Sequence, residues 1–169
     1  VCNDCPAGTA DLTGADPNVV CTNCVPGQYA AAGSTSCDDC QIGEYNGMSP
    51  GTPCQTCDAG FFSPVRSTSC TQCLGGWSDA DSSPTTDCTE CDAGKHSLPG
   101  AYGADETRFG CVSCRIGWND HDSMPVSPCV QCVSGRFQAE ASQTDCDMCP
   151  MGTFQPNSGH GVCIDCIAG

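Results

Sequence analysis

Apolar positions along this chain are sparse and recur once per short loop instead of gathering into runs. Each loop opens on a Cys-x-x-Cys pair and places a glycine three residues further on. In seven of the nine complete loops a ring follows within two residues: Tyr29, Tyr45, Phe61 with Phe62, Trp77, Trp118, Phe137 and Phe154. The stretch from ring to next pair is mostly Asp, Ser, Thr, Gly and Pro, which favour turns through Asx and hydroxyl hydrogen bonds or a preset φ. The pattern predicts turns and short β-hairpins with almost no helix, and its apolar runs are far too short to span a membrane.

Composition explains how such a chain holds together. Leu, Ile, Val and Phe number 3, 4, 10 and 5, so 22 of 169 residues. That is below the roughly 20% an ordinary core requires. Cysteine contributes 20 residues, above the roughly 8–10% that marks a secreted disulfide scaffold. A compact α/β enzyme and a helical bundle are excluded, and cross-links take the place of a core. The net charge is −15, with 5 Lys and Arg against 20 Asp and Glu. Arg66, Lys95, Arg108, Arg115 and Arg136 are scattered singly, so no cationic face for nucleic acid exists. The chain opens at Val1 without a charged or apolar leader, which reads as a mature piece of something longer.

The repeat is regular throughout. Pairs begin at Cys2, Cys21, Cys37, Cys54, Cys70, Cys88, Cys111, Cys129, Cys146 and Cys163, and the glycines that follow run from Gly8 to Gly169. A glycine at every such position implies positive φ or close approach to a disulfide. The rings read as plates on which each mini-core stacks its own disulfide. Alternate loops carry a proline four residues before the next pair, at Pro17, Pro50, Pro84 and Pro125, so the larger unit is a double repeat of about 34 residues. This divides the chain into 1–36, 37–69, 70–110, 111–145 and a partial 146–169. The sixth loop, 94–110, has extra residues around Tyr102 and Arg108, where an array most often carries a specific function.

The pairs admit zinc ribbons, redox motifs or disulfides. Aspartate, serine and threonine around the cysteines suit an oxidising exterior, and no βαβ frame supports a thioredoxin-like role, so disulfides are expected. Two regular connectivities remain open. In a serial scheme the second cysteine of each pair bonds the first of the next; in a paired ladder Cys2 bonds Cys21 and Cys5 bonds Cys24, and so on.

The other candidate chemistry is thin. Asp79 and Asp81, with their copies Asp120 and Asp122, place alternate carboxylates on turns before a proline. That arrangement suits weak, roughly millimolar calcium binding or, more simply, Asx turns; no other cofactor is expected. Gly47-Met48-Ser49-Pro50-Gly51 matches a hydrolase nucleophile elbow by letters only, since an elbow needs a strand and a helix around it. His96, His121 and His160 read as surface side chains. No Asn-x-Ser/Thr sequon occurs. Serine beside proline at Ser49-Pro50, Ser63-Pro64, Ser83-Pro84 and Ser127-Pro128 offers O-linked sites, so covalently attached carbohydrate is expected.

The run Cys21-Thr22-Asn23-Cys24-Val25-Pro26-Gly27-Gln28-Tyr29 resembles the cysteine-rich repeats of ephrin-receptor-like proteins and the related small loop module of tumour necrosis factor receptors. The resemblance covers essentially the whole chain. It implies an elongated extracellular rod and the serial linkage, namely Cys5–Cys21, Cys24–Cys37, Cys40–Cys54, Cys57–Cys70, Cys73–Cys88, Cys91–Cys111, Cys114–Cys129, Cys132–Cys146 and Cys149–Cys163. Cys2 and Cys166 would then bond outside the span. The Asp-x-Asp-Ser motif with its following proline also resembles arrays in surface and fibre proteins of algae and other protists, including the flagellar hairs called mastigonemes. The expected function is a non-enzymatic extracellular structural protein, self-associating into or coating a filament. The alternative is a ligand-binding receptor or adhesion ectodomain, and no segment reads as a membrane span.

Overall fold

The computed structural model describes residues 5–13, 20–47, 50–103 and 110–167. Cys2, Pro17, Ser49 and Arg108 therefore lie outside the described residues. Among those described there is no helix, and the structure is a tandem array of small disulfide-bonded repeats, each built on a short antiparallel strand pair. Two compact units divide the chain: Val1–Gln72 with Ser82–Asp87, and Cys73–Asp81 with Cys88–Gly169.

The first unit holds β1 (Thr9–Asp11), β2 (Cys21–Asn23), β3 (Gln28–Tyr29), β4 (Asp38–Asp39), β5 (Glu44–Tyr45), β6 (Gln55–Thr56), β7 (Phe61–Phe62) and β8 (Thr71–Gln72). They pair in order as four antiparallel ribbons. The second unit holds β9 (Trp77–Asp79), β10 (Thr89–Glu90), β11 (Lys95–His96), β12 (Ala101–Tyr102), β13 (Val112–Ser113), β14 (Trp118–Asn119), β15 (Val130–Gln131), β16 (Arg136–Phe137), β17 (Asp147–Met148), β18 (Thr153–Phe154) and β19 (Ile164–Asp165). Its ribbons are β9 with β10, β11 with β13, β14 with β15, β16 with β17, and β18 with β19. Two parallel contacts join neighbouring loops among the described residues: in the long sixth loop β12 adds to β9, making the three-stranded sheet β10-β9-β12, and in the first unit Tyr45 forms a single bridge to Ser67.

The cysteine spacing accounts for this plan. The strand after each glycine pairs with the two middle residues of the next Cys-x-x-Cys, as Gln28 and Tyr29 pair with Asp39 and Asp38 between Cys37 and Cys40. A two-residue ribbon has no independent stability in water. Here a disulfide staples each loop, linking the second cysteine of one pair to the first of the next. The bonds are Cys5–Cys21, Cys24–Cys37, Cys40–Cys54 and Cys57–Cys70 in the first unit. In the second they are Cys73–Cys88, Cys91–Cys111, Cys114–Cys129, Cys132–Cys146 and Cys149–Cys163. By chain entropy a 15-residue loop closed in this way stabilises by about 3 kcal/mol.

The core is sulfur and alanine. The second cysteine of every pair from Cys5 to Cys132 is buried, together with Ala10, Ala30 and Ala101. The rings are not. Tyr29, Tyr45, Phe61, Phe62, Trp118 and Phe137 are half-buried, and Trp77 and Phe154 are exposed. The expected plates under each disulfide are therefore half-open flanks, because strands two residues long leave no layer thick enough to cover a ring.

Candidate functional site

The working parts of an array without a large cavity core are the joints between its loops. Each joint is organised by the glycine after a cysteine pair. From Gly8 to Gly152 all nine have φ between 80° and 87°. The glycine carbonyl accepts from the second cysteine of the next pair, as Cys24 N–H donates to Gly8 and Cys132 N–H to Gly117. The glycine N–H donates onward to the residue three places after the next glycine: Gly27 to the Asn46 carbonyl at 2.9 Å, and Gly117 to Gln138 at 2.8 Å.

Close approach adds a second requirement, and its partner differs from the expected disulfide. A Cβ built on Gly27 would stand 2.1 Å from the Arg66 carbonyl oxygen. On Gly43 it would meet Pro84 at 3.1 Å, on Gly94 the Ser142 oxygen at 2.1 Å, and on Gly117 the Gly159 oxygen at 2.2 Å. In each case the neighbour is backbone of the loop two further along. Those apices turn through left-handed residues of their own: Arg66 (φ 63), Ser142 (φ 60) and Gly159 (φ 78). Loops two apart thus touch backbone to backbone, and only glycine permits it.

The residue three places after each glycine recurs as the inner contact of the joints from the second loop on, while Asp11 in the first loop is half-buried; only Ser63, Asp79 and Asp120 stand out there in the sequence, and for other chemistry. Ala30, Asn46 and Ser63 in the first unit, and Asp79, Ser97, Asp120, Gln138 and Gln155 in the second, are all buried. Their polar groups are satisfied within the repeat framework. Asn46 Nδ2 donates to the Thr52 carbonyl, Gln138 Nε2 to Asp145, and Ser97 Oγ to Trp77. A positional signal three residues after the glycine existed, but it is carried by chemically unlike residues.

Two of the four candidate calcium aspartates occupy this inner position and not an exposed turn. Asp79 ends β9 and is 2% exposed; its carbonyl accepts from Gly103. Asp120, just after β14, is 3% exposed, and its Oδ2 accepts from the Gly94 N–H at 3.0 Å, where other joints use a main-chain carbonyl. Asp81 and Asp122 are exposed on the turns that follow. Asp122 is an Asx turn: Oδ1 accepts from the Met124 N–H and Oδ2 from the Ser127 hydroxyl. The Met124 N–H, then the Ser127 hydroxyl, hold its carboxyl below the ordinary value of 3.8, with smaller help from Asp120 and His121. Among the described residues no three His, Cys, Asp or Glu side chains gather as a metal site.

The O-glycosylation candidates separate by exposure. Ser63 is 1% exposed and its hydroxyl donates to the Glu44 carbonyl, so it offers no acceptor for sugar; this candidate is corrected. Pro64 and Pro128 are exposed, whereas Pro50, Ser83, Pro84 and Ser127 are half-buried. The Pro50 and Pro84 carbonyls accept from Ala30 and Ser63, and the Ser127 hydroxyl is held by Asp122. Among the histidines, His96 is half-buried, with Nδ1 3.4 Å from Cys129 Sγ, and is not the free surface side chain expected. Cys166 is exposed and carries a free thiol among the described residues.

Tandem ribbons closed by serial disulfides, with the second cysteine of each pair from Cys5 to Cys132 buried, define a cysteine-rich repeat protein. Residues 124–153 and 143–169 each match the family described as tyrosine-protein kinase ephrin type A/B receptor-like. No curated protein matches the chain at a significant level. Ephrin-receptor-like cysteine-rich repeats are extracellular, non-catalytic modules, and the disulfides fit that setting. Among the described residues no helix is long and apolar enough to cross a membrane.

Proposed function

We propose that this chain is a structural protein of the cell exterior, whose repeats form or coat a filament such as a mastigoneme-like flagellar hair or another cell-surface fibre. The observation that carries this reading is the uniformity of the joints. Within each unit the same left-handed glycine recurs, and its carbonyl accepts from the second cysteine of the next pair. Its N–H donates to the residue three places after the next glycine, through a side chain at Gly94 and the main chain at Gly27 and Gly117, and alternate loops meet at Gly8, Gly27, Gly43, Gly76, Gly94 and Gly117. A scaffold that uses every repeat alike has this character, whereas a receptor concentrates its specificity in one place. The contact between alternate loops also supports the double repeat of about 34 residues as the building unit. Self-association follows from the same reading, with Cys2 and the exposed Cys166 bonding sequence or subunits outside this span, and carbohydrate is carried at exposed positions such as Pro64 and Pro128. Electron microscopy of the native source tests it. Fibres with an axial repeat support the proposal; isolated, membrane-tethered particles overturn it.

A second reading, a ligand-binding ectodomain, is favoured by one feature: β12 in the sixth loop, which breaks the two-stranded rule by pairing with β9 in parallel. Replacing the sixth loop by a short one of standard length separates the two readings, since assembly survives the exchange in a scaffold and ligand capture does not in a receptor. Calcium enters neither. Asp122 already has its oxygens engaged by Met124 and Ser127, so millimolar calcium is expected to leave the melting temperature nearly unchanged. A saturable rise that disappears in Asp79→Asn with Asp81→Asn would reverse this.

A further inference from the structure

In the sixth loop an imidazole stands where other loops carry a phenyl or phenol ring. The second residue after the glycine is Tyr29, Tyr45, Phe62, Phe137 or Phe154 in five of the other complete loops, Ala10, Ser78 or Asn119 in the remaining three, and His96 here. This position lies against the disulfide of the following loop: Tyr45 lines one groove with Cys57 and Cys70, and His96 Nδ1 is 3.4 Å from Cys129 Sγ. Cys129 is bonded to Cys114 and its sulfur has no proton to give. Read as a hydrogen bond, the contact has the imidazole as donor, through the Nδ1–H tautomer.

We propose that Cys114–Cys129 is a redox-labile site within the array, cleaved in preference to the other disulfides by extracellular thiols, with His96 as the residue that makes it so. Two equivalents of a thiol supply the two electrons. The first forms a mixed disulfide as the S–S bond breaks, and the second releases it as the thiol's own disulfide, leaving Cys114 as a thiol and Cys129 as a thiolate. The His96 Nδ1–H donates to that thiolate. A reduced form stabilised in this way shifts the equilibrium toward reduction. Cys129 is half-buried, like the first cysteine of most pairs, while Cys114 is only 1% exposed, so an incoming thiol is directed to Cys129 and it is the imidazole, not access, that sets this bond apart.

Among the described residues, few charged groups lie on the elements next to His96. Lys95, on the same strand, is paired with Asp92 at 3.8 Å. Strand β13 opposite brings only Val112 and Ser113. From the following loop come the Asp120 carboxylate, engaged by Gly94, the Asp122 carboxylate with His121 beside it, and Arg115, which lies over Trp118. Opening Cys114–Cys129 would release the loop that carries Asp120 and Trp118 while the remaining staples hold.

The test is graded reduction of the oxidised protein with glutathione at pH 8, alkylation of the thiols formed, and peptide mapping by mass spectrometry. Cys114 and Cys129 are expected to label at about tenfold less reductant than Cys40 with Cys54, the scale of one charge-assisted hydrogen bond. His96→Phe supplies the ring that five other loops carry and is expected to erase the margin. His96→Tyr serves equally if that variant fails to recover all nine disulfides. Reduction of Cys114–Cys129 together with or after Cys40–Cys54 in the unaltered protein, or a margin that survives loss of the imidazole, overturns the proposal.

Discussion

Gly117 and Gly152 adopt nearly the same backbone conformation, with φ of 80° and 87°, and lie in very different surroundings. A Cβ on Gly117 would stand 2.2 Å from the Gly159 oxygen; on Gly152 it would meet no described atom within 4 Å. One repeated residue therefore answers to two causes. The left-handed turn recurs at both positions; the loop two further along packs on Gly117, whereas for Gly152 no such loop falls within these 169 residues, so the turn can be weighed there by itself. Comparing them separates the local requirement of a repeat from the requirement of stacking.

The largest expected effect breaks this comparison directly. Gly117→Ala bears the left-handed penalty plus the clash with a backbone that cannot swing aside, and is expected to cost roughly 3–5 kcal/mol. Gly152→Ala bears the conformational term alone, about 1–2 kcal/mol. Melting of the two oxidised variants, with all disulfides verified by mass, decides this, and equal losses would show that stacking contributes nothing. Asp120 sharpens the picture next, as the joint at Gly94 uses a side-chain acceptor where Gly117 uses the Gln138 carbonyl. Asp120→Ala leaves the buried Gly94 N–H without a partner and is expected to cost about 1–3 kcal/mol, while Asp120→Asn keeps an oxygen there and costs little.

Smaller effects follow at the apices. Ser142 occupies a left-handed position that Gly159 fills in the next loop, so Ser142→Gly is expected to raise stability by about 0.5 kcal/mol, with relief of the turn partly offset by a freer unfolded chain. The smallest concerns pH. The Asp122 carboxyl titrates lower in the folded protein than its ordinary 3.8, so the stability it lends is complete above that value and is lost as pH falls through the folded one. Melting curves from pH 5 down to pH 2 should show a slightly shallower decline in Asp122→Asn, whose amide oxygen accepts from Met124 without titrating.

Much of the repeat plan was legible because a disulfide loop is short and its restraints are local. Cysteine spacing limited the linkage to two regular schemes, and the glycine after each pair announced a turn. The resemblance to ephrin-receptor-like repeats pointed to the serial bonds that the structure contains. The identity of the close neighbour was not legible: the glycines approach backbone two loops away, a contact between residues some 40 positions apart such as Gly27 and Arg66. The rings misled for a related reason, since their regular spacing says where they recur and not how much of each is covered.

What the sequence by itself determined is the set of restraints that act within one loop: where it turns, which two residues can form each strand, and that sulfur must replace an apolar core. Only the tertiary structure decided which groups meet across loops. It buried Asp79 and Asp120 while leaving Asp81 and Asp122 outside, withdrew Ser63 from solvent, and set His96 beside Cys129. Side chains two positions apart on a turn or strand end face different surroundings, and those surroundings are supplied by another loop whose arrival no local pattern records.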